Sequence, residues 1–126
     1  MKNYFDFALP LEGGALMTTV RLAVGGVAAA AGLDLDSCED FKVCVTESLL
    51  ILRRNGCGAA CVHCEFGEGT LTADVTAESR QGQIAESGIE DEISYALLGA
   101  LVDEATFERD GDGGRVTAVR LVKNAI

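Results

Sequence analysis

Cys57, Cys61, His63 and Cys64 fall within eight residues of one another. Thiolate and imidazole are the ligands zinc prefers. Two features weigh against a metal site here. The spacing lacks a paired C-x2-C on each side, and Cys61 and Cys64 lie on a segment that reads as a strand, where odd spacing sends them to opposite faces. Buried or half-buried thiols are therefore the preferred reading, with a metal-binding regulator as the alternative. His63 is the single histidine and shares a face with Cys61 and Glu65 by alternation. It could form a Cys–His nucleophile pair, but a solvent-facing sheet residue is the simpler expectation. Glu47 could act as a general base, because partial burial raises a carboxylate's pKa. Arg53-Arg54 is the one basic doublet, either a solvated helix end or an ion-pair partner. Glu90, Asp91 and Glu92 place three carboxylates at an expected helix start, where each stabilises by about 0.3–1 kcal/mol.

The elements that must hold these side chains are legible in the pattern. Residues 4–11 read as a strand with Phe5, Phe7 and Leu9 on one face. Glu12-Gly13-Gly14 breaks it. Leu16, Val20, Val24, Val27 and Ala31 then recur at helical steps up to Gly32. Gly25-Gly26 inside that helix is expected to allow close packing on another element. Asp34, Asp36 and Ser37 are candidate N-caps of a second helix, with Ser37 and Asp40 resembling a capping box. Phe41, Val45, Ser48 and Leu52 share its inner face, Cys44 sits beside them, and Asn55-Gly56 stops it.

Residues 60–66 and 71–77 read as a hairpin around the turn at 67–70. Residues 78–88 read as a polar loop. A third helix spans about 90–102, with Ile93, Leu97, Leu98 and Leu101 inward. A short strand at 105–108, a Gly-Asp turn at 110–114 and a strand at 116–122 complete the chain. In that last strand Val116, Ala118, Arg120 and Val122 alternate against Thr117, Val119 and Leu121. Segregated helices beside a mostly antiparallel sheet imply an α+β two-layer sandwich with three helices on one face.

The chain has 126 residues, 48 % of them hydrophobic, which fits a single domain over 1–126. Its net charge of −10 supplies no basic stripe, so direct nucleic-acid binding is not expected. A basic protein partner is electrostatically easier. No apolar run reaches the roughly 18 residues of a membrane span. Met1-Lys2-Asn3-Tyr4 opens no long apolar stretch, so the cytoplasm is the expected compartment. Five cysteines would stay reduced there.

Asp40-Phe41-Lys42-Val43-Cys44-Val45-Thr46-Glu47-Ser48 resembles the N-box helix of the anti-sigma-factor serine-protein kinases, members of the GHKL or histidine-kinase-like ATPase fold. Leu101-Val102-Asp103-Glu104-Ala105 resembles the end of that family's helix after the ATP lid. Phe7-Ala8-Leu9-Pro10 and Arg21-Leu22 fit its opening strand and first helix. The resemblance spans nearly the whole chain, mostly through framework residues.

By that resemblance Glu47 stands at the general-base position, and the Mg²⁺-coordinating Asn is replaced by Ile51. An alkyl group cannot coordinate a metal that demands oxygen. Asn55, one turn further, could substitute only with a shift of the helix register or of the metal. The adenine-binding Asp-x-Gly falls on Ala77-Glu78-Ser79. The phosphate-binding glycines fall on Glu92 and Ser94, beside carboxylates that repel a polyphosphate. The ATP lid, about 78–89, is short. The resemblance thus implies a degenerate member, a pseudokinase acting on bacterial transcription by protein contact. No cofactor is expected; the partner would be a sigma factor or an anti-anti-sigma protein, and a homodimer is the family norm. The alternative is an active serine-protein kinase with a displaced Mg-ATP site built on Glu47 and Asn55.

Overall fold

Residues 57–80 form the centre of a sheet because small and β-branched residues alternate there with polar ones. The computed structural model describes residues 3–80, 88–111 and 114–125, with only the backbone of Ser79, Arg80, Gly88 and Ile89. The elements run β1 (Asn3–Pro10), α1 (Met17–Ala30), α2 (Leu35–Arg54), β2 (Cys57–Gly67), β3 (Thr70–Arg80), α3 (Gly88–Leu101), β4 (Glu104–Arg109) and β5 (Val116–Asn124). The strands lie in the order β1-β2-β3-β5-β4, and each neighbouring pair is antiparallel. The fold is α+β: a five-stranded sheet and three helices in two layers.

The β2–β3 turn is set by two residues at positive φ, Glu68 at 55° and Gly69 at 78°. That primed geometry matches the twist of the strands it joins. Both strands run longer than alternation alone suggested, and β3 reaches Arg80, into the stretch expected as a loop. The remainder of the expected short lid, 81–87, lies outside the described residues.

Across the sheet, Ala60, Val62, Cys64, Leu71, Ala73, Val75, Val119 and Leu121 are buried on the helix side. The other face carries Asp6, His63, Asp74 and Arg120 in one cross-strand row. β5 departs from simple alternation. Its pairing steps from Glu108↔Ala118 to Arg109↔Val116, leaving Thr117 as a bulge residue. The bulge resets the phase, so Val116 joins Val119 and Leu121 in the core rather than opposing them.

α2 is the central helix, with Phe41, Cys44, Val45, Leu49, Ile51 and Leu52 fully buried. Each large side chain so placed contributes about 1.5–3 kcal/mol. Its cap is Asp34, whose carboxylate accepts from the Ser37 N–H at 2.8 Å. Ser37 lies inside the helix, so it does not cap a box with Asp40. The buried Thr46 and Ser48 hydroxyls bond back to the carbonyls of Lys42 and Cys44. α2 ends at Asn55, followed by Gly56 at φ 84°.

The glycine pair in α1 divides. A Cβ at Gly25 would meet the Lys42 stem at 3.1 Å, whereas Gly26 faces open space. Close packing thus accounts for one of the two. On α3, Ile93 is 62 % exposed and Ser94 is buried at 3 %. The expected inward Ile93 is a correction: polar partners on α2 draw Ser94 inward and turn Ile93 to solvent.

Candidate functional site

Glu47, Ile51, Arg54 and Asn55 follow one another at steps of four, three and one along the last turns of α2. Glu47, Ile51 and Asn55 therefore stack on one face, with Arg54 beside them. α3 lies alongside and contributes Asp91 and Ser94, one turn apart. Arg54 joins the two helices: its Nε donates to Asp91 Oδ1 at 2.7 Å, and its Nη2 to Ser94 Oγ at 2.7 Å. Ser94 then donates to Glu47 Oε2 at 3.0 Å. The Arg54 and Asp91 side chains are only 16 % and 17 % exposed, so water screens this pair less than it would a surface pair.

The chemistry open to this network is narrow. Ser94 spends its proton on Glu47 and is 3 % exposed, so a substrate has no approach to its oxygen. Ile51 packs fully buried in the core. Asn55 is buried and bonded at both ends of its amide: Nδ2 donates to the Ile51 carbonyl at 2.8 Å, and Oδ1 accepts from the Val116 N–H at 3.0 Å. It fastens the end of α2 to the start of β5. Mg-ATP does not fit these donors. The position that the resemblance assigns to a metal-binding Asn is the buried alkyl Ile51, and the Asn55 amide is already engaged.

The other expected positions are dispersed. Ala77 is half-buried on the helix face of β3, paired with Ala60. Glu78 is exposed on the opposite face, and the Ser79 side chain lies outside the described ones. Glu90 and Glu92 are exposed at the start of α3, while Asp91 turns to Arg54. Of the expected nucleotide positions, the fold brings Glu47, Ile51, Asn55 and Ser94 into one region through α2 and α3.

The cysteine cluster is divided by the sheet. Cys64 is buried among the helix-side residues, and burial pushes its thiol up to about 12. Cys57 is buried and donates to the Ala59 carbonyl at 2.8 Å. Cys61 and His63 lie on the other face. The neighbouring Glu78 carboxylate raises the Cys61 thiol, and burial adds to the effect. His63 engages Asp6 through Nδ1, lies 3.6 Å from Glu65 through Nε2, and stacks on Tyr4. The Asp6 hydrogen bond is the main cause of its raised pKa. Among the described residues, no three His, Cys, Asp or Glu side chains gather as a metal-ligand set. On α2, burial likewise raises the Cys44 thiol to about 12.

Reading along the sequence paired neither Arg54 with Asp91 nor Asp6 with His63. A signal did exist for the first: Arg54 lies seven residues after Glu47, on nearly the same helix face, with acids at the expected start of another helix. The second needed the register of β1 against β2, which pairs residues 57 apart in the chain.

No protein-family model matches this sequence, and no curated protein matches it. Among the described residues, no helix is long and apolar enough to cross a membrane.

Proposed function

We propose that this domain is an anti-sigma-factor-like regulator of the GHKL type that acts by protein–protein contact without turning over ATP. The observation that carries the reading is the Ser94–Glu47 hydrogen bond. Ser94 stands where the resemblance puts a phosphate-binding glycine, and its hydroxyl closes on the residue at the general-base position. Arg54 and Asp91 complete the closure with charge that is already matched. A site built to hold a nucleotide would keep that carboxylate free for a metal-bound water or a substrate hydroxyl.

The resemblance makes a sigma factor or an anti-anti-sigma protein the partner and a homodimer the assembled form. The bacterial cytoplasm would be its compartment. The competing kinase reading requires Asn55 to give up two hydrogen bonds before it can reach a metal.

Two measurements test the proposal together. Calorimetry with Mg-ATP should give no saturable heat, and co-expression should recover a complex with a sigma factor or an anti-anti-sigma protein. Saturable micromolar Mg-ATP binding with phosphorylation of a serine on such a protein would overturn it. So would the failure of every such protein to co-purify.

A further inference from the structure

The two edges of the sheet are guarded differently. β4 is six residues long and carries Glu104, Glu108 and Arg109, charges that discourage strand addition. β1 is eight residues long, with Tyr4, Phe5 and Phe7 and a single charge at Asp6. Tyr4 is 69 % exposed and Phe5 43 % exposed. Beside β1 on the helix side, an apolar cleft of about 170 Å³ separates the strand from α1. Phe5, Phe7, Leu9, Leu16, Val20 and Ala23 line it. A void of ~150 Å³ lined by apolar groups takes one benzene ring, so this cleft has room for one large apolar side chain.

An edge strand offers unpaired backbone donors and acceptors, and alternate side chains of an added strand meet opposite faces of the sheet. On β1, residues opposite Phe5 and Phe7 would turn toward the cleft, and residues opposite Asp6 toward the open face. There they would meet Asp6, whose side chain is 54 % exposed at the sheet edge and engages His63 beyond it on β2, with Glu65 one pair along opposite Tyr4. A chain of net charge −10 opposes a second copy of itself at that position and favours basic residues.

We propose that β1 receives an extended, basic segment of a partner protein as a sixth strand, with one apolar side chain of that segment seated in the cleft between β1 and α1. The surface uses none of Glu47, Arg54, Asp91 and Ser94, and it stands apart from the regulatory reading above.

The test uses the full chain, isotope-labelled for amide NMR, and a panel of synthetic peptides that alternate Lys with Val, Leu or Phe. A matched panel carries Glu in place of Lys. The Lys peptides should saturate with shift changes running along β1 and the cleft. Replacing Phe5 and Leu16 by Lys should weaken them at least about tenfold, as for loss of an interface anchor. Both side chains are 40 % or more exposed, so the fold should survive, which a thermal melt checks. The variant Ala23→Leu, which fills the cleft and leaves the charges alone, should reject the Phe peptides most. No binding by any Lys peptide, equal binding by the Glu panel, or shifts confined to another surface would each overturn the proposal. A wild-type dimer that Phe5→Lys converts to monomer would also overturn it, by giving the edge to a second copy.

Discussion

Ser94 on α3 donates to Glu47 on α2 across 3.0 Å, and its oxygen accepts from Arg54 at 2.7 Å. One small hydroxyl from α3 thereby bridges a carboxylate and a guanidinium that both project from α2. Each end of the chain of bonds is anchored, Glu47 on α2 and Asp91 on α3, so the two helices are joined by charge as well as by apolar contact.

Removing the hydroxyl should therefore loosen α3. Ser94→Ala is expected to cost about 1–2 kcal/mol, the penalty for leaving buried partners unmatched. A double-mutant cycle with Glu47→Gln should show coupling of about 0.5–3 kcal/mol between residues of one network. Urea melts measure both, and additive losses would show that the network does not act as a unit.

Ile51→Asn would restore an amide at the position where the resemblance places the metal-binding Asn. Ile51 is fully buried, however, so the amide would enter an apolar core. A loss of at least about 3 kcal/mol is expected from the lost packing and the unpaired polar group. No gain of Mg-ATP binding should accompany it. A stable variant with a saturable nucleotide isotherm would contradict both expectations.

His63 gives a pH signature. Asp6 and Glu65 raise its pKa above the ordinary 6.5, while Asp74, its neighbour on β3, is held by Arg120 at 2.9 Å. A group whose pKa is raised on folding adds stability that is fully present below its unfolded pKa. That stability is lost as pH rises through the folded value. The melting temperature of the wild type minus that of His63→Gln should thus be largest below pH 6.5 and shrink as pH rises through the raised folded value. Parallel curves over that range would remove His63 from the account.

Gly26→Ala should stabilise the protein by up to about 1 kcal/mol, since α1 loses a flexible interior residue and gains a side chain in open space. Gly25→Ala should gain less, because its Cβ must displace the flexible Lys42 stem at 3.1 Å. The urea midpoints of the two variants rank them.

The order of strands and helices was legible because each element carries its own period. Phe41, Val45, Ser48 and Leu52 marked the inner face of α2, and alternation placed Cys61 and Cys64 on opposite faces of β2. Periodicity misplaced two side sets. Ile93 was expected inward because it is apolar, but Ser94 fits the polar partners waiting on α2. Val116 was grouped with the wrong face because a bulge at Thr117 shifts the count by one. Both errors are tertiary: neither Arg54's reach nor the β4–β5 register is written within the local segment.

The pairing of β1 with β2 also bears on the order in which the sheet assembles. β2 and β3 meet through a two-residue turn, whereas Pro10 must find Ala59 with both α1 and α2 in the intervening loop. Long loops must be closed before their contacts contribute, so the hairpin forms first and β1 joins late. β1, one of the two strands that end the sheet, is then expected to leave before β2 and β3 separate. Hydrogen exchange should show β1 amides exposed ahead of those shared by β2 and β3, and a partner bound along that strand would slow its departure.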